Sequence, residues 1–171
     1  MDDTYDKLIT LLDRNGAVYR LIDHPPEGQT DLVSALRGHH VAAAAKCIVL
    51  IVKLGKKVTR FVLAVVPGDT RVDSGKIRSL LGATYVGFAA ADVAERIAGS
   101  VAGTVLPFAF HPDLTLIADP SLRDHAEIFF NAARLDRSIA LRTADYLALA
   151  KPRLEQIASP DPLAPSNRVA T

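Results

Sequence analysis

Lys46 is the residue whose type and position most clearly suggest chemistry. It is the only charged residue in the apolar stretch 41–52, and lysine is rarely buried without a partner because the loss of hydration is costly. At the mouth of a core strand, its ammonium group can present a fixed positive charge to an anionic or carbonyl-bearing ligand. The alternative is a lysine whose stem is buried while its ammonium group reaches water. The pattern alone leaves both interpretations open.

A glycine-rich segment is the second candidate for a site. Gly99 and Gly103 flank Ser100, and an apolar segment containing Pro107 follows. Glycines let a backbone approach a ligand closely, and unpaired N–H groups can bind an oxyanion. The spacing matches neither a P-loop nor a dinucleotide-binding fingerprint. The alternative is a helix that ends at Gly99 and a simple bend at Gly103.

The sequence contains no recognisable metal site and no activated nucleophile. Its histidines lack the spacing of metal-binding motifs, and a single cysteine excludes a disulfide framework or a cysteine-rich zinc site. Strand alternation places Cys47 on the face opposite Lys46, as a buried and inert thiol. A G-x-S-x-G elbow is also absent. We therefore expect neither a metal nor a cofactor. The histidines are His24, His39, His40, His111 and His125.

Basic residues cluster around one predicted turn and the segment after it. Such a cluster could form a rim that binds nucleic-acid phosphates, although a solvated hairpin tip has the same pattern. A net charge of +1 argues against a protein that coats polyanions over its whole surface. The residues are Lys53, Lys56, Lys57 and Arg60, followed by Arg71, Lys76 and Arg78.

Length and composition predict one globular domain. The chain has 171 residues, of which 49% are apolar and 23% charged, as in soluble globular proteins. No signal peptide is visible at the N-terminus, and no apolar run is long enough for a membrane span. We expect a cytoplasmic protein with a single domain over residues 1–158 and a disordered tail over residues 159–171, because the tail is rich in Pro, Ser and Asp.

The elements that must position the candidate residues are strands mixed with short helices. Two apolar runs, 47–52 and 61–66, predict paired antiparallel central strands. Further strands are predicted at 17–22, 85–88, 104–110, 114–118 and 127–131, with 104–110 and 114–118 forming a pair around residues 111–113. Helices are predicted before Asn15, at 31–36, after Asp73 or Ser74, at 92–98 and after Thr143 as a cap. This order favours a mixed sheet with helices around it.

The order of these motifs resembles the YbaK/EbsC family of aminoacyl-tRNA editing domains. That family includes free-standing deacylases and the insertion domain of bacterial prolyl-tRNA synthetase. The resemblance covers about residues 4–155, and the segment 108–113 together with residues 130–132 and 143–147 is most similar to the YeaK-like free-standing branch. The motifs that carry it are residues 45–50, 72–73, 81–83, 99–103, 107–108, Asp119, 127–132 and 138–141.

The resemblance implies an α/β (α+β) fold with a curved, partly barrel-like mixed sheet surrounded by helices. It implies metal-independent hydrolysis of a mischarged amino acid from the 3′ end of tRNA. The family's lysine corresponds to Lys46, and its glycine-rich segment and proline to Gly99, Gly103 and Pro107, with Ser100 between the glycines. The branch's asparagine at the pocket floor corresponds to Asn131. Lys46 and Gly103 are thus the predicted catalytic residues, and Gly99, Ser100, Pro107 and Asn131 the predicted substrate-binding residues.

Such chemistry needs no strong nucleophile because an aminoacyl ester is already activated. The site must position a water molecule and stabilise the carbonyl oxygen as it gains charge. Backbone N–H groups near Gly103 could supply that stabilisation, and Lys46 could hold the terminal phosphate or the carbonyl end. The resemblance also suggests that a ribose hydroxyl orients the water. Cys47 stands where the family often has Asn or a small polar residue, so the amino-acid preference stays open, with serine as the first expectation.

Two other functions are compatible with these residues. One is a non-catalytic module that binds RNA or a synthetase, and the other is a small-molecule esterase. An open pocket in which Lys46 lies beside Gly103 would favour an enzyme over a binding module. A basic rim around that pocket would count against the esterase. The expected partners are the acceptor end of aminoacyl-tRNA and, as a further option, a synthetase; the sequence does not indicate an oligomeric state.

Overall fold

The computed structural model describes residues 3–163. Its α-helices are α1 Thr4–Arg14, α2 Thr30–Arg37, α3 Ser74–Leu81, α4 Ala91–Ala98 and α5 Thr143–Ala150, and short 3₁₀ helices cover Val41–Ala43 and Pro120–Asp124. Its strands are β1 Tyr19–Asp23, β2 Ala45–Leu54, β3 Val58–Pro67, β4 Thr70–Val72, β5 Tyr85–Phe88, β6 Leu114–Ala118, β7 Glu127–Asn131, β8 Arg137–Arg142, β9 Arg153–Leu154 and β10 Ala158–Pro160. No helix within the described range is long and apolar enough to cross a membrane.

The β2–β3 hairpin is the centre of the fold, and it confirms the predicted antiparallel pair. Its register runs without interruption from Ala45 opposite Pro67 to Leu54 opposite Val58. The turn contains Gly55 with a φ of 74°, a left-handed conformation that glycine adopts without strain. Two long apolar strands joined by such a turn pair locally, so the sequence pattern is sufficient to predict them.

The strands form a mixed architecture, as the sequence predicts. The largest sheet has the order β5-β2-β3-β6-β9, in which β6 lies parallel to both β3 and β9. A second sheet has the antiparallel order β1-β8-β7, and β10 pairs with β4 in a third. Antiparallel hairpins and parallel crossovers thus occur together, with helices packed around them.

The five-stranded sheet separates two apolar cores. On one face, Val49 and Leu63 pack in the core that also contains Leu8 of α1. On the other face, Leu50 packs with Ile77 of α3. Because alternate residues of a strand point to opposite faces, Lys46 lies on the α3 face, while Cys47 packs against the first core. This confirms the predicted separation of the two side chains.

Two predicted features of the later chain are wrong. Residues 104–110 form no strand, because Pro107 lacks the N–H that a strand ladder uses, and β6 pairs in parallel with β3 instead. Thr143 does not cap α5: it is the first residue of that helix, and its hydroxyl donates a hydrogen bond to the carbonyl of His125 at 2.6 Å. Local pattern alone could not reveal these longer-range contacts.

The predicted tail begins too early. Ala158–Pro160 pair with β4, and the N–H groups of Ile157 and Ala158 both donate to the Asp119 carboxylate at 2.9 Å. Burial alone would raise the pKa of Asp119, but these bonds and those from Ser121 hold its pKa below the ordinary value. The rest of the predicted disordered tail, residues 164–171, lies outside the described residues.

Candidate active site

A cavity of about 230 Å³ lies between β2 and β7, at the point where the two main sheets meet. It brings together three of the predicted site residues, namely Lys46, Gly103 and Asn131. Gly28 and Arg37 also line it, although no sequence motif marks either residue. Residues 3–163 contain no group of three His, Cys, Asp or Glu side chains that could hold a metal ion.

The cavity exists because part of β2 has an open edge. Strand β5 pairs with β2 only from Leu50 to Lys53, and a single parallel bridge joins Ala44 to Phe129 of β7. The carbonyls of Val49 and Lys53 accept hydrogen bonds on this β5 side of β2. Because peptide groups alternate along a regular strand, Cys47 also directs its N–H and C=O to this side, towards the gap.

Lys46 is tethered at the edge of the cavity. Its Nζ donates a hydrogen bond to the carbonyl of Thr70 at 3.0 Å, and its side chain is half-buried. No carboxylate of the described residues forms an ion pair with it. The tether fixes the position of the ammonium group but leaves its charge uncompensated, which suits a site for an anionic or carbonyl-bearing ligand.

Gly103 and Gly28 pack closely, backbone against backbone. Gly103 has a φ of 83°, and a Cβ atom at this position would lie 2.8 Å from the Cα of Gly28. Any side chain at Gly103 would therefore push two loops apart. The N–H of Gly103 has no hydrogen-bond partner among residues 3–163. The only sequence signal for Gly28 is its place after two prolines and Glu27, which predicts a loop but no packing against Gly103.

Asn131 joins the loops that form this wall of the cavity. Its Nδ2 donates to the carbonyl of Glu27 at 2.8 Å and to that of Gly103 at 2.9 Å. Its Oδ1 accepts from Arg37 Nη2 at 3.1 Å and from the hydroxyl of Ser138 at 2.9 Å. Both amide donors and both acceptor positions are thus used, so the side chain has no hydrogen bond left for a ligand.

Arg37 is a half-buried cation without an acidic partner. Its Nε donates to the hydroxyl of Ser138 at 2.7 Å, and its Nη1 contacts His39 Nε2 at 3.4 Å. No carboxylate of the described residues pairs with it, and its other guanidinium N–H groups have no partner there. Burial lowers the pKa of Arg37 to about 10, so the group is still charged near pH 7. An arginine in the last turn of a helix is common, so its sequence position carries no signal.

His39 provides a neutral acceptor for Arg37. Its ring stacks on Phe129, with centroids 3.7 Å apart and planes within 15°. The Nδ1 atom lies 2.8 Å from the carbonyl of His40, so Nδ1 carries the proton and Nε2 has the lone pair that faces Arg37. Burial lowers the pKa of His39 to about 4. The ring therefore adds no positive charge to the cavity near neutral pH.

The other predicted site residues lie outside the cavity. Gly99 ends α4 with a φ of 75°, and its carbonyl accepts a hydrogen bond from the Thr4 hydroxyl at 2.6 Å. The Ser100 hydroxyl donates to the carbonyl of Thr104 at 3.2 Å, and Pro107 is buried. These residues shape the loop that carries Gly103, but they do not line the cavity itself.

Comparison with known proteins gives consistent matches. Residues 24–149 match the aminoacyl-tRNA editing domain family. The chain is 40% identical over 152 residues to the multifunctional Ser/Thr-tRNA deacylase ProXp-y of Escherichia coli strain K12, covering 88% of this chain and 90% of that protein. The same protein of strain O157:H7 matches to the same extent.

Two solved structures share the fold. The hypothetical protein APE2540 superposes with a TM-score of 0.80 at 19% identity, covering 90% of this chain and 99% of its own. A candidate trans-editing enzyme for prolyl tRNA synthetase superposes with a TM-score of 0.76 at 18% identity, covering 93% of this chain and 99% of its own.

Proposed function

Because the chain belongs to the aminoacyl-tRNA editing domain family, as its sequence motifs predict, we propose that it hydrolyses the ester between a mischarged amino acid and the 3′ end of tRNA. The observation that carries this function is the cavity that Lys46 and Gly103 both line. The chain is an aminoacyl-tRNA deacylase that edits in trans. Its relatives in Escherichia coli are Ser/Thr-tRNA deacylases, and serine is therefore its first substrate, followed by threonine.

The reaction is the addition of water to an activated ester. The water oxygen bonds to the carbonyl carbon, the bond from that carbon to the ribose oxygen breaks, and a proton passes from the water to the ribose oxygen. No covalent intermediate on the enzyme is needed. Burial raises the pKa of Cys47 well above its ordinary value, so the thiol in this cavity stays protonated and is a poor nucleophile.

Backbone N–H groups stabilise the charge that develops on the carbonyl oxygen. The N–H of Gly103 has no partner among the described residues, and the N–H of Cys47 is directed by strand alternation towards the same gap. Donors fixed before the reaction lower the barrier without reorganisation. The close packing of Gly28 against Gly103 supports this role, because it fixes the loop from which the Gly103 donor comes.

Lys46 holds the substrate where the tRNA end enters. Its ammonium group is fixed by the carbonyl of Thr70 at 3.0 Å, and its remaining N–H donors can bind the terminal phosphate or the carbonyl end of the ester. This function requires a charge at a defined position rather than a proton-transfer group. Lys46 is therefore a substrate-binding cation of the catalytic site.

The cavity suits a small amino acid with a hydroxyl group. Its volume of about 230 Å³ limits the side chain, and the N–H groups of Arg37 that the protein leaves unused can donate to a serine hydroxyl. The positive charge of Arg37 also repels the α-ammonium group of the substrate, which orients the amino acid. Asn131 acts as a positioning residue, since its own hydrogen bonds are used within the protein.

The three predicted substrate-binding residues that lie outside the cavity have an indirect role in the proposed reaction. Gly99, Ser100 and Pro107 contribute by shaping the loop of Gly103 rather than by touching substrate.

We assign the chain up to β10 to a single editing domain, and we place the enzyme in the cytoplasm, where aminoacyl-tRNA is its partner. A synthetase could deliver that tRNA. The open cavity favours an enzyme over a non-catalytic binding module, and the cations beside it disfavour a small-molecule esterase.

A deacylation panel tests this function. The full chain is incubated with tRNAs charged with serine, threonine, alanine, proline and cysteine, and release of the amino acid is followed with and without EDTA. We expect seryl-tRNA to be hydrolysed fastest and EDTA to have no effect, since no metal-ligand spacing is present in the sequence. Failure to hydrolyse any of the five tRNAs would contradict the proposal, and activity lost in EDTA and restored by zinc would overturn the metal-independent mechanism.

A further inference from the structure

A second cavity, of about 380 Å³, lies on the α3 face of the five-stranded sheet. It adjoins the catalytic cavity, because Lys46 lines both. Its other walls include Ile48, Phe88 and Arg71, together with the start of α3 at Ser74. Apart from Lys46, its lining residues take no part in the proposed ester hydrolysis.

Phe88 is an exposed aromatic residue in this second cavity. It is the last residue of β5, lies opposite Leu50 in the register, and has 75% of its surface exposed. The shared face places its ring on the same side of the sheet as Lys46 and Ile48. A large exposed aromatic ring beside a cavity offers a flat surface that a ligand with its own planar ring can cover.

Arg71 supplies an uncompensated cation to the same cavity. It lies in β4, is exposed, and its side chain forms no hydrogen bond or ion pair with the described residues. The only carboxylate at this cavity among those residues belongs to Asp73. That carboxylate accepts hydrogen bonds from the backbone N–H of Lys76 and the hydroxyl of Ser159. Asp73 keeps its negative charge but forms no ion pair with Arg71, and the two cations Arg71 and Lys46 outnumber this one carboxylate in the lining of the cavity.

We propose that the second cavity binds the unpaired nucleotides at the 3′ end of tRNA, with a base stacked on Phe88 and a backbone phosphate bound by Arg71. This inference rests on the proposed function, since the aminoacyl ester must lie in the first cavity. An aromatic platform beside free cations is the combination with which proteins bind single-stranded nucleic acid. Stacking needs only the flat face of a base, so Phe88 can hold a nucleotide of the 3′ end without a base-specific hydrogen bond.

The connection through Lys46 gives the bound strand a direction. Lys46 donates to the carbonyl of Thr70, the residue next to Arg71 in β4. The two cations therefore lie along one path from the second cavity to the first. A strand that follows this path places its charged backbone beside Arg71 and Lys46 while its acylated end enters the catalytic cavity.

Binding of uncharged RNA tests the inference separately from catalysis. A fluorescein-labelled RNA hexanucleotide ending in CCA is titrated with the full chain, and fluorescence anisotropy gives the Kd. We expect Phe88→Ala to weaken binding about tenfold, within the range for loss of one stacked base, and Phe88→Trp to retain it. Tyr85→Ala is the matched control, because Tyr85 lies on the same strand with 52% of its surface exposed but on the opposite face. We expect its Kd to stay within about twofold of wild type.

Salt dependence tests the phosphate contact. Loss of one phosphate contact to a single strand makes the slope of log K against log salt less negative by about 0.7. We expect this change for Arg71→Gln but not for Arg78→Gln, a control arginine that is exposed on α3. In seryl-tRNA hydrolysis, Phe88→Ala should raise KM with kcat retained, because it removes binding rather than transition-state stabilisation.

The possible outcomes separate the two proposals. If Phe88→Ala and Arg71→Gln bind RNA like wild type, the second-cavity inference is overturned, even if the enzyme hydrolyses seryl-tRNA. If RNA binding depends on both residues but no aminoacyl-tRNA is hydrolysed, the RNA site stands and the deacylase function falls. A wild-type dimer that Phe88→Ala dissociates without changing RNA binding would show that a second copy covers Phe88, and it would overturn the inference.

Discussion

The two walls of the catalytic cavity are built in different ways. The strand wall, which carries Lys46 and Cys47, belongs to a long hairpin with continuous pairing. The loop wall, which carries Gly28 and Gly103, has no regular structure. It is fixed by the close packing of the two glycine backbones and by the side chain of Asn131. One wall thus depends on backbone pairing and the other on a few side-chain hydrogen bonds.

This difference separates catalytic effects from structural ones. The hairpin retains its ladder when a half-buried side chain is shortened, so changes at Lys46 should affect rate but not folding. In the loop wall, the Asn131 side chain fixes loops that are 104 and 28 positions away in sequence. Changes in the loop wall should lower the catalytic rate and the stability together. The hydrogen bonds that stabilise these loops also fix the position of the Gly103 N–H donor.

Gly103→Ala should have the largest effect. The new Cβ atom would meet the Cα of Gly28 at 2.8 Å, at a φ of 83° that favours glycine. We expect the loop to move, the Gly103 N–H to lose its position and kcat to fall about 10²–10³-fold, as for loss of one oxyanion donor. Single-turnover deacylation and thermal unfolding measure both effects, and Gly16→Ala, at a φ of 63° with open space around it, controls for backbone strain. Equal effects in the two variants would contradict a specific role for the packing against Gly28.

Asn131→Ala should lower both the stability and the activity of the protein, with a smaller loss of activity than Gly103→Ala. The change removes the hydrogen-bond partner of the Glu27 and Gly103 carbonyls and of Nη2 of Arg37, and each polar group left unsatisfied in the protein costs up to about 1–3 kcal/mol. We expect a lower midpoint of urea unfolding and a loss in kcat/KM. Asn15→Ala, which removes a single exposed side-chain bond to the carbonyl of Leu11, is the comparison. Full activity in a destabilised Asn131→Ala protein would show that the loop wall positions no catalytic group.

The pH dependence of stability tests the neutral state of His39. Its folded pKa of about 4 lies below the ordinary value of 6.5, so the unfolded chain binds a proton at higher pH than the folded one. The contribution of the neutral His39 ring to the free energy of unfolding is fully present above pH 6.5 and is lost as the pH falls towards 4. Urea unfolding between pH 7 and pH 4 should therefore show a steeper loss for wild type than for His39→Gln. Parallel curves for the two proteins would contradict a buried neutral imidazole.

The strand wall could be predicted from sequence, but most of the loop wall could not. The alternation around Lys46 and Cys47 is local, so the pattern indicates both the strand and the faces of its side chains. Gly103 follows from its glycine-rich segment. Arg37 and Asn131, by contrast, meet across 94 positions, and no local pattern encodes that hydrogen bond. The predicted strand at 104–110 failed for a different, local reason: the segment is apolar, but Pro107 interrupts it and cannot donate a hydrogen bond to a strand ladder.

The most direct test of the account is the activity of Lys46→Ala on seryl-tRNA, with Lys46→Arg and Lys53→Ala measured in parallel. Lys53 is an exposed lysine on the same strand, so its removal controls for a general loss of positive charge. We expect Lys46→Ala to lose a charge-assisted contact of about 1.5–3 kcal/mol, or roughly ten- to hundredfold in rate, while circular dichroism shows an unchanged fold. Arg should not restore full activity, because its planar group differs in reach and geometry. A folded Lys46→Ala protein with the wild-type rate would contradict the central claim that ester hydrolysis takes place in the cavity lined by Lys46 and Gly103.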